Sequence, residues 1–222
     1  MIFRIDLKVF IFLILFYFTR QIEQYCIILF FATIHEMAHL FIGLLLKIKV
    51  DKVTFMPIGL SIKFKFEDEK DYKKTNTLEI KKMIIAIAGP LTNIAIIFFI
   101  QLLKMQKNTD IIIYANMLIA VFNLLPIYPL DGGRILKSIL TILLNKYKAN
   151  IYINYITNFT LFIVSFIFSI WLYYLKNISI IIIIIYLWYL VLKQNREYKV
   201  KKRMYYLLQS SKSTNYSRHS NK

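Results

Sequence analysis

The residues whose types and spacing most directly specify chemistry are those of His35-Glu36-Met37-Ala38-His39. In a helix, positions four apart share one face, so both imidazoles can reach a single metal ion. Glu36 projects about 100° around the helix axis from His35. That places a carboxylate beside the open position of such a metal, where it can act as general base toward water. Alone, this five-residue pattern is weak in a soluble helix. Here it lies inside the apolar run Tyr25–Leu46, where ionisable groups are costly and face a cavity, a partner or an ion. The competing interpretation is a polar cluster that only holds helices together.

A catalytic zinc takes three protein ligands and keeps one open position, so a third ligand must come from elsewhere. The remaining histidine, His219, stands in a polar tail and reads as an inert, solvated side chain. The best remaining candidate in apolar surroundings is Asp131, within Asn123-Leu-Leu-Pro-Ile-Tyr-Pro-Leu-Asp131-Gly-Gly-Arg134. Two prolines and two glycines break the helical pattern there. Broken backbone at membrane depth is tolerated where it lines a cavity or is packed in protein, which allows the segment to turn a carboxylate toward the paired histidines. The plainer alternative is a turn residue at a helix start. Asn123 either hydrogen-bonds a substrate backbone or developing oxyanion, or caps the broken helix. Ala88-Gly89-Pro90-Leu-Thr-Asn93 reads as close packing against the histidine helix, and Arg134 as an anchor for a helix end at the interface.

The elements that must position these residues are apolar. Of the 222 residues 58% are hydrophobic, and the mean hydropathy is +0.55, which makes lipid the natural solvent. Candidate spans are Val9–Thr19, Tyr25–Leu46, Met83–Leu103, Ile111–Leu144 with a break near Pro126–Gly133, Tyr152–Leu175 and Ile178–Leu192. The first is short and begins by snorkelling within Arg4–Lys8, or lies tilted. Lys and Arg concentrate in Lys47–Lys82, Lys137–Lys148 and from Lys193 onward. Six spans with both termini cytoplasmic fit that alternation. The expected fold is therefore an all-α polytopic membrane protein of about six transmembrane helices, with a small β-hairpin at the membrane surface.

That hairpin is expected over residues 49–66, where β-branched and aromatic residues partly alternate around Pro57–Gly59. Its strand edges can take up an extended peptide, or pair within a small sheet. Residues 1–192 read as one membrane-embedded domain and 193–222 as a basic, polar cytoplasmic tail. The N-terminus has the charged start and apolar middle of a signal peptide but no small-residue cleavage site, and reads as a retained anchor. Cys26 is the single cysteine, which excludes an internal disulfide and a cysteine metal cluster. The formal net charge of +17 belongs to loops facing anionic headgroups of the bilayer, so nucleic acid is not an expected partner.

At its motifs the chain resembles the site-2 protease family of intramembrane zinc metallopeptidases. HEMAH at 35–39, AGPLTN at 88–93 and NLLPIYPLDGG at 123–133 stand in the order of that family's three characteristic segments. Their conjunction is far more specific than any one of them, and the likeness covers about Tyr25 to Leu144. The resemblance implies that His35, His39 and Asp131 ligate Zn2+, that Glu36 activates water, and that Asn123 binds or polarises the substrate. It also implies a membrane-associated protein substrate. The compact size is most similar to a sporulation member of the family, which implies an inactive sigma-factor precursor. An inhibitory membrane partner is a further expectation, since an unregulated membrane protease is hazardous. Many members carry a PDZ or a CBS domain, but Lys47–Lys82 is too short for the first and the tail for the second. Two rival functions are a metal-binding membrane transporter, in which His, Glu and Asp mark an ion pathway, and an inactive scaffold.

Overall fold

The computed structural model describes residues 2–5, 7–56, 59–66, 72–103, 109–175, 181, 184–200 and 202–203. His219, Pro57, Ile58 and part of the expected sixth span lie outside them. The chain runs β1 (Ile2–Ile5), α1 (Lys8–Phe18), α2 (Ile22–Leu45), β2 (Lys49–Met56), β3 (Gly59–Lys65), α3 (Tyr72–Leu102), α4 (Thr109–Leu124), α5 (Asp131–Leu144) and α6 (Lys146–Leu175). Residues 184–200 are also helical. The protein is thus mostly helical, with one small sheet.

Among the described residues three helical stretches are long and apolar enough to cross a membrane: Ile22–Leu45, Asn76–Leu102 and Lys146–Tyr174. The six expected spans are not all matched by helices of that length. At 1.5 Å per residue, the 16-residue α4 and 14-residue α5 reach about 24 and 21 Å, short of a hydrocarbon core of about 30 Å. The expected single span over Ile111–Leu144 is two helices meeting at the proline and glycine break. Helices α3 and α6 also begin well before the apolar runs at Met83 and Tyr152. Helical hydrogen bonding continues into water, whereas hydropathy marks only the lipid-facing part.

Two helix ends are closed by cations in the left-handed region. Arg20 (φ 56) follows α1 and Lys47 (φ 57) follows α2. In each case paired bonds close the turn: Gln21 N to Phe16 O with Arg20 N to Tyr17 O, and Ile48 N to Gly43 O with Lys47 N to Leu44 O. This is the Schellman arrangement usually given to glycine. A cation there faces the negative end of the helix dipole, which offsets part of the backbone cost.

The hairpin expected over 49–66 is present as β2 and β3, antiparallel, and gains a third strand. Ile2–Ile5 pairs parallel with β2 in the order β1-β2-β3. The start of the chain therefore forms a strand, and the first helix begins at Lys8, the end of the charged Arg4–Lys8 stretch. Val53 and Ile62, paired across the strands, are buried. A Cβ on Gly59 would stand 3.0 Å from that of Ala32, and one on Gly43 would meet the Phe64 ring. Gly59 to Phe64 in a strand and Ala32 to Gly43 in a helix each cover about 16 Å. Strand β3 therefore runs beside α2 past His35–His39, and the hairpin reaches the middle of that helix where a surface position was expected.

Ile127, wholly buried between α4 and α5, forms a core with Leu161, Val164, Leu187 and Val191. Ile127→Ala removes three carbons from this close-packed site. It is expected to cost about 2–5 kcal/mol, read as a lowered unfolding midpoint of the detergent-solubilised protein. A loss below about 1 kcal/mol would show that the core is loosely packed.

Candidate metal centre

The buried face of α2 carries Tyr25, Ala32, His35, His39 and Gly43, so the i, i+4 spacing places both imidazoles inward as expected. Asp131 is the first residue of α5; its N-cap is Leu130, which makes no side-chain capping bond. The chain reaches that point through a tight turn. Ile127 N donates to Leu125 O, Leu130 N donates to Ile127 O, and Tyr128–Pro129 is cis. A Cβ on Gly132 or Gly133 would collide with the backbone of Leu124–Tyr128. The glycines thus allow α5 to start directly against the turn, with the Asp131 carboxylate facing the histidines instead of capping its own helix.

His35 Nε2, His39 Nε2 and Asp131 Oδ2 form a triangle with sides of 3.1, 3.0 and 3.0 Å. All three residues are at most 3% exposed. His35 Nδ1 donates to Asn93 Oδ1, and His39 Nδ1 donates to the Ile85 carbonyl at 2.7 Å. A neutral imidazole that carries its proton on Nδ1 offers a lone pair at Nε2. Two nitrogen lone pairs and a carboxylate oxygen therefore converge on one point. Ligands about 2.0–2.1 Å from a tetrahedral zinc stand about 3.3 Å from one another. The triangle is sized for such an ion, and the nitrogen and oxygen donors suit zinc.

Helix α3 shapes the site from the other side. Ile85, Gly89 and Asn93, spaced by four, form one ridge: the Ile85 carbonyl and Asn93 amide hold the histidines, and Gly89 passes between. A Cβ on Gly89 would lie 2.5 Å from both Nε2 atoms. Pro90 lacks an N–H and relaxes the helix in the same turn. Sequence reasoning took this segment as packing. Close packing is present, but the role of Asn93 toward His35 goes beyond it and depends on the rotation of α3 against α2, which no local spacing records.

Arg134, expected to anchor a helix end, places Nη1 3.5 Å from the second carboxylate oxygen of Asp131. It helps to orient Oδ2 inward. Glu36 is half-buried and close enough to His35, His39, Asp131 and Arg134 to interact electrostatically with all four. Asn123 is not joined to the donor set by a hydrogen bond among the described residues. Its amide donates to Ile119 O, 3.1 Å away on its own helix.

The sequence pattern of peptidase family M50 matches residues 24–109 and 103–168, which takes in every residue of this centre. The chain belongs to peptidase family M50. Among curated M50-like relatives, Zinc metalloprotease MJ0392 of Methanocaldococcus jannaschii is 29% identical over 119 residues, 50% of this chain and 32% of that protein. Stage IV sporulation protein FB of Bacillus subtilis is 26% identical over 123 residues, 53% and 40% of the two chains. The chain thus spans less than half the length of these relatives. The solved Site-2 Protease from Methanocaldococcus jannaschii shares the fold, with a TM-score of 0.60 over 85% of this chain and 88% of that one, at 21% identity. Zinc is the metal in the name of MJ0392, and the three donors of this M50 chain fit it.

Because Gly89 is the point of closest approach, Gly89→Ala should abolish stoichiometric zinc in the purified protein by pushing the His35 and His39 rings out of the donor triangle. Metal analysis tests this. Full zinc occupancy in a folded Gly89→Ala protein would contradict a centre built from both imidazoles against Gly89.

Proposed function

We propose that this M50 member is an intramembrane zinc metalloprotease that hydrolyses peptide bonds of membrane-associated proteins. The observation that carries the reading is the buried triangle of His35, His39 and Asp131 with Glu36 beside it, on an M50 chain similar to Zinc metalloprotease MJ0392. His35, His39 and Asp131 would hold a zinc ion, which would supply Lewis acidity toward the scissile carbonyl and the attacking water.

Glu36 takes the proton of the attacking water on its carboxylate and returns it to the leaving amine nitrogen. Arg134 helps to hold Asp131 as a ligand, which leaves Glu36 to act as the base. Asn123 exchanges its bond to Ile119 for one to the substrate carbonyl oxygen. A helical substrate has its amides hydrogen-bonded and shielded, so it must be extended before attack. Strand β3, which runs beside the His35–His39 stretch, offers an edge on which an extended segment can pair. On the family resemblance of the motifs, the substrate is a sigma-factor precursor and the control is a membrane partner that blocks the site; the similarity to Stage IV sporulation protein FB supports a role in sporulation. No described feature favours metal transport over proteolysis.

Co-expression with membrane-tethered pro-proteins of the same genome tests the reading. Glu36→Gln should lower cleavage by about 10²–10⁴-fold with zinc retained, while Asp131→Asn should lose both zinc and cleavage. Undiminished cleavage by Glu36→Gln would overturn Glu36 as the base.

A further inference from the structure

Asn116 lies on α4, outside the three motifs, and is wholly buried. Its Nδ2 donates to the Ile112 carbonyl at 2.9 Å, and its Oδ1 accepts from Asn93 Nδ2 at 2.8 Å. Asn93, also wholly buried, presents its Oδ1 to His35 Nδ1. The chain Ile112–Asn116–Asn93–His35 has one direction throughout. A backbone carbonyl can only accept, so Asn116 must turn its NH₂ toward Ile112 and its oxygen toward Asn93. Asn93 must then donate from Nδ2, which leaves its oxygen for His35. His35 must carry its proton on Nδ1, and Nε2 is left with the lone pair that a metal needs.

We infer that Asn116 is a positioning residue for the metal centre, acting through Asn93 to fix both the amide orientation of Asn93 and the tautomer of His35. This rests on His35 being a zinc ligand. Without Asn116, nothing in the relay sets which end of the Asn93 amide faces the imidazole. The rotated amide presents NH₂ to Nδ1, which favours the tautomer protonated on Nε2 and opposes metal binding. The two asparagines also account for each other. A lone buried amide among apolar helices is costly, whereas this pair satisfies the donors and acceptors that face one another along the relay.

The test is a competitive chelator titration of the full-length, detergent-purified protein with zinc. Asn116→Leu should weaken zinc about 10-fold, and Asn93→Leu at least as much. The double variant should bind no more weakly than Asn93→Leu alone, because Asn116 acts only through Asn93. The visible spectrum of the cobalt-loaded protein should shift in both single variants, a readout that a merely structural role does not move. If Asn116→Leu does not fold, Asn116→Ser carries the same expectation, since its hydroxyl is too short to reach Asn93. Unchanged zinc affinity and cobalt spectrum in a folded Asn116 variant would overturn the relay, as would losses that multiply in the double variant. Wild-type protein that fails to bind zinc would overturn the reading of the site itself.

Discussion

Two imidazole lone pairs and a carboxylate oxygen cannot share a triangle of about 3 Å in an apolar interior unless positive charge lies between them. The rest of the fold is arranged around that requirement. Helix α2 supplies both nitrogens on one face, and α3 closes on them along Ile85, Gly89 and Asn93. Helix α5 begins at the point where its first side chain completes the triangle. Small residues stand at the tight contacts: Gly89 under the imidazoles, and Gly132 and Gly133 against the turn that precedes α5.

Outside the donors, control passes to acceptors that hold each imidazole by its far nitrogen. The Ile85 carbonyl does so for His39 and Asn93 does so for His35. Such contacts fix ring orientation and tautomer, and so convert three nearby side chains into a preorganised set. Arg134 does the corresponding work for Asp131 from one turn along α5. Strand β3 lies along α2 on another side, so the chemistry is placed beside a strand and not in an isolated helical bundle.

The histidine face was legible in the sequence because a spacing of four within one helix is local information. Asp131 was legible for a related reason: Pro126, Pro129, Gly132 and Gly133 announce a break, and a broken segment can aim a carboxylate. Asn93 was visible as a polar residue but not as a partner of His35, since the rotation of α3 against α2 decides which neighbour it meets. Asn116 carried no local signal beyond being an amide in an apolar helix. Strand β1 was missed because Ile2–Ile5 is four residues long and pairs with β2 about fifty residues away. The turns at Arg20 and Lys47 were hidden because neither is glycine. The helix starts of α3 and α6 lie in polar sequence that hydropathy cannot separate from a loop.

The central claim, that His35, His39 and Asp131 hold one zinc ion, is tested most directly by X-ray absorption at the zinc edge of the loaded, full-length protein. The account predicts a first shell of about four nitrogen and oxygen atoms near 2.0–2.1 Å, with outer-shell scattering from two imidazoles, falling to one in His39→Ala. A sulfur scatterer, a six-oxygen shell, or two imidazoles retained in His39→Ala would contradict it.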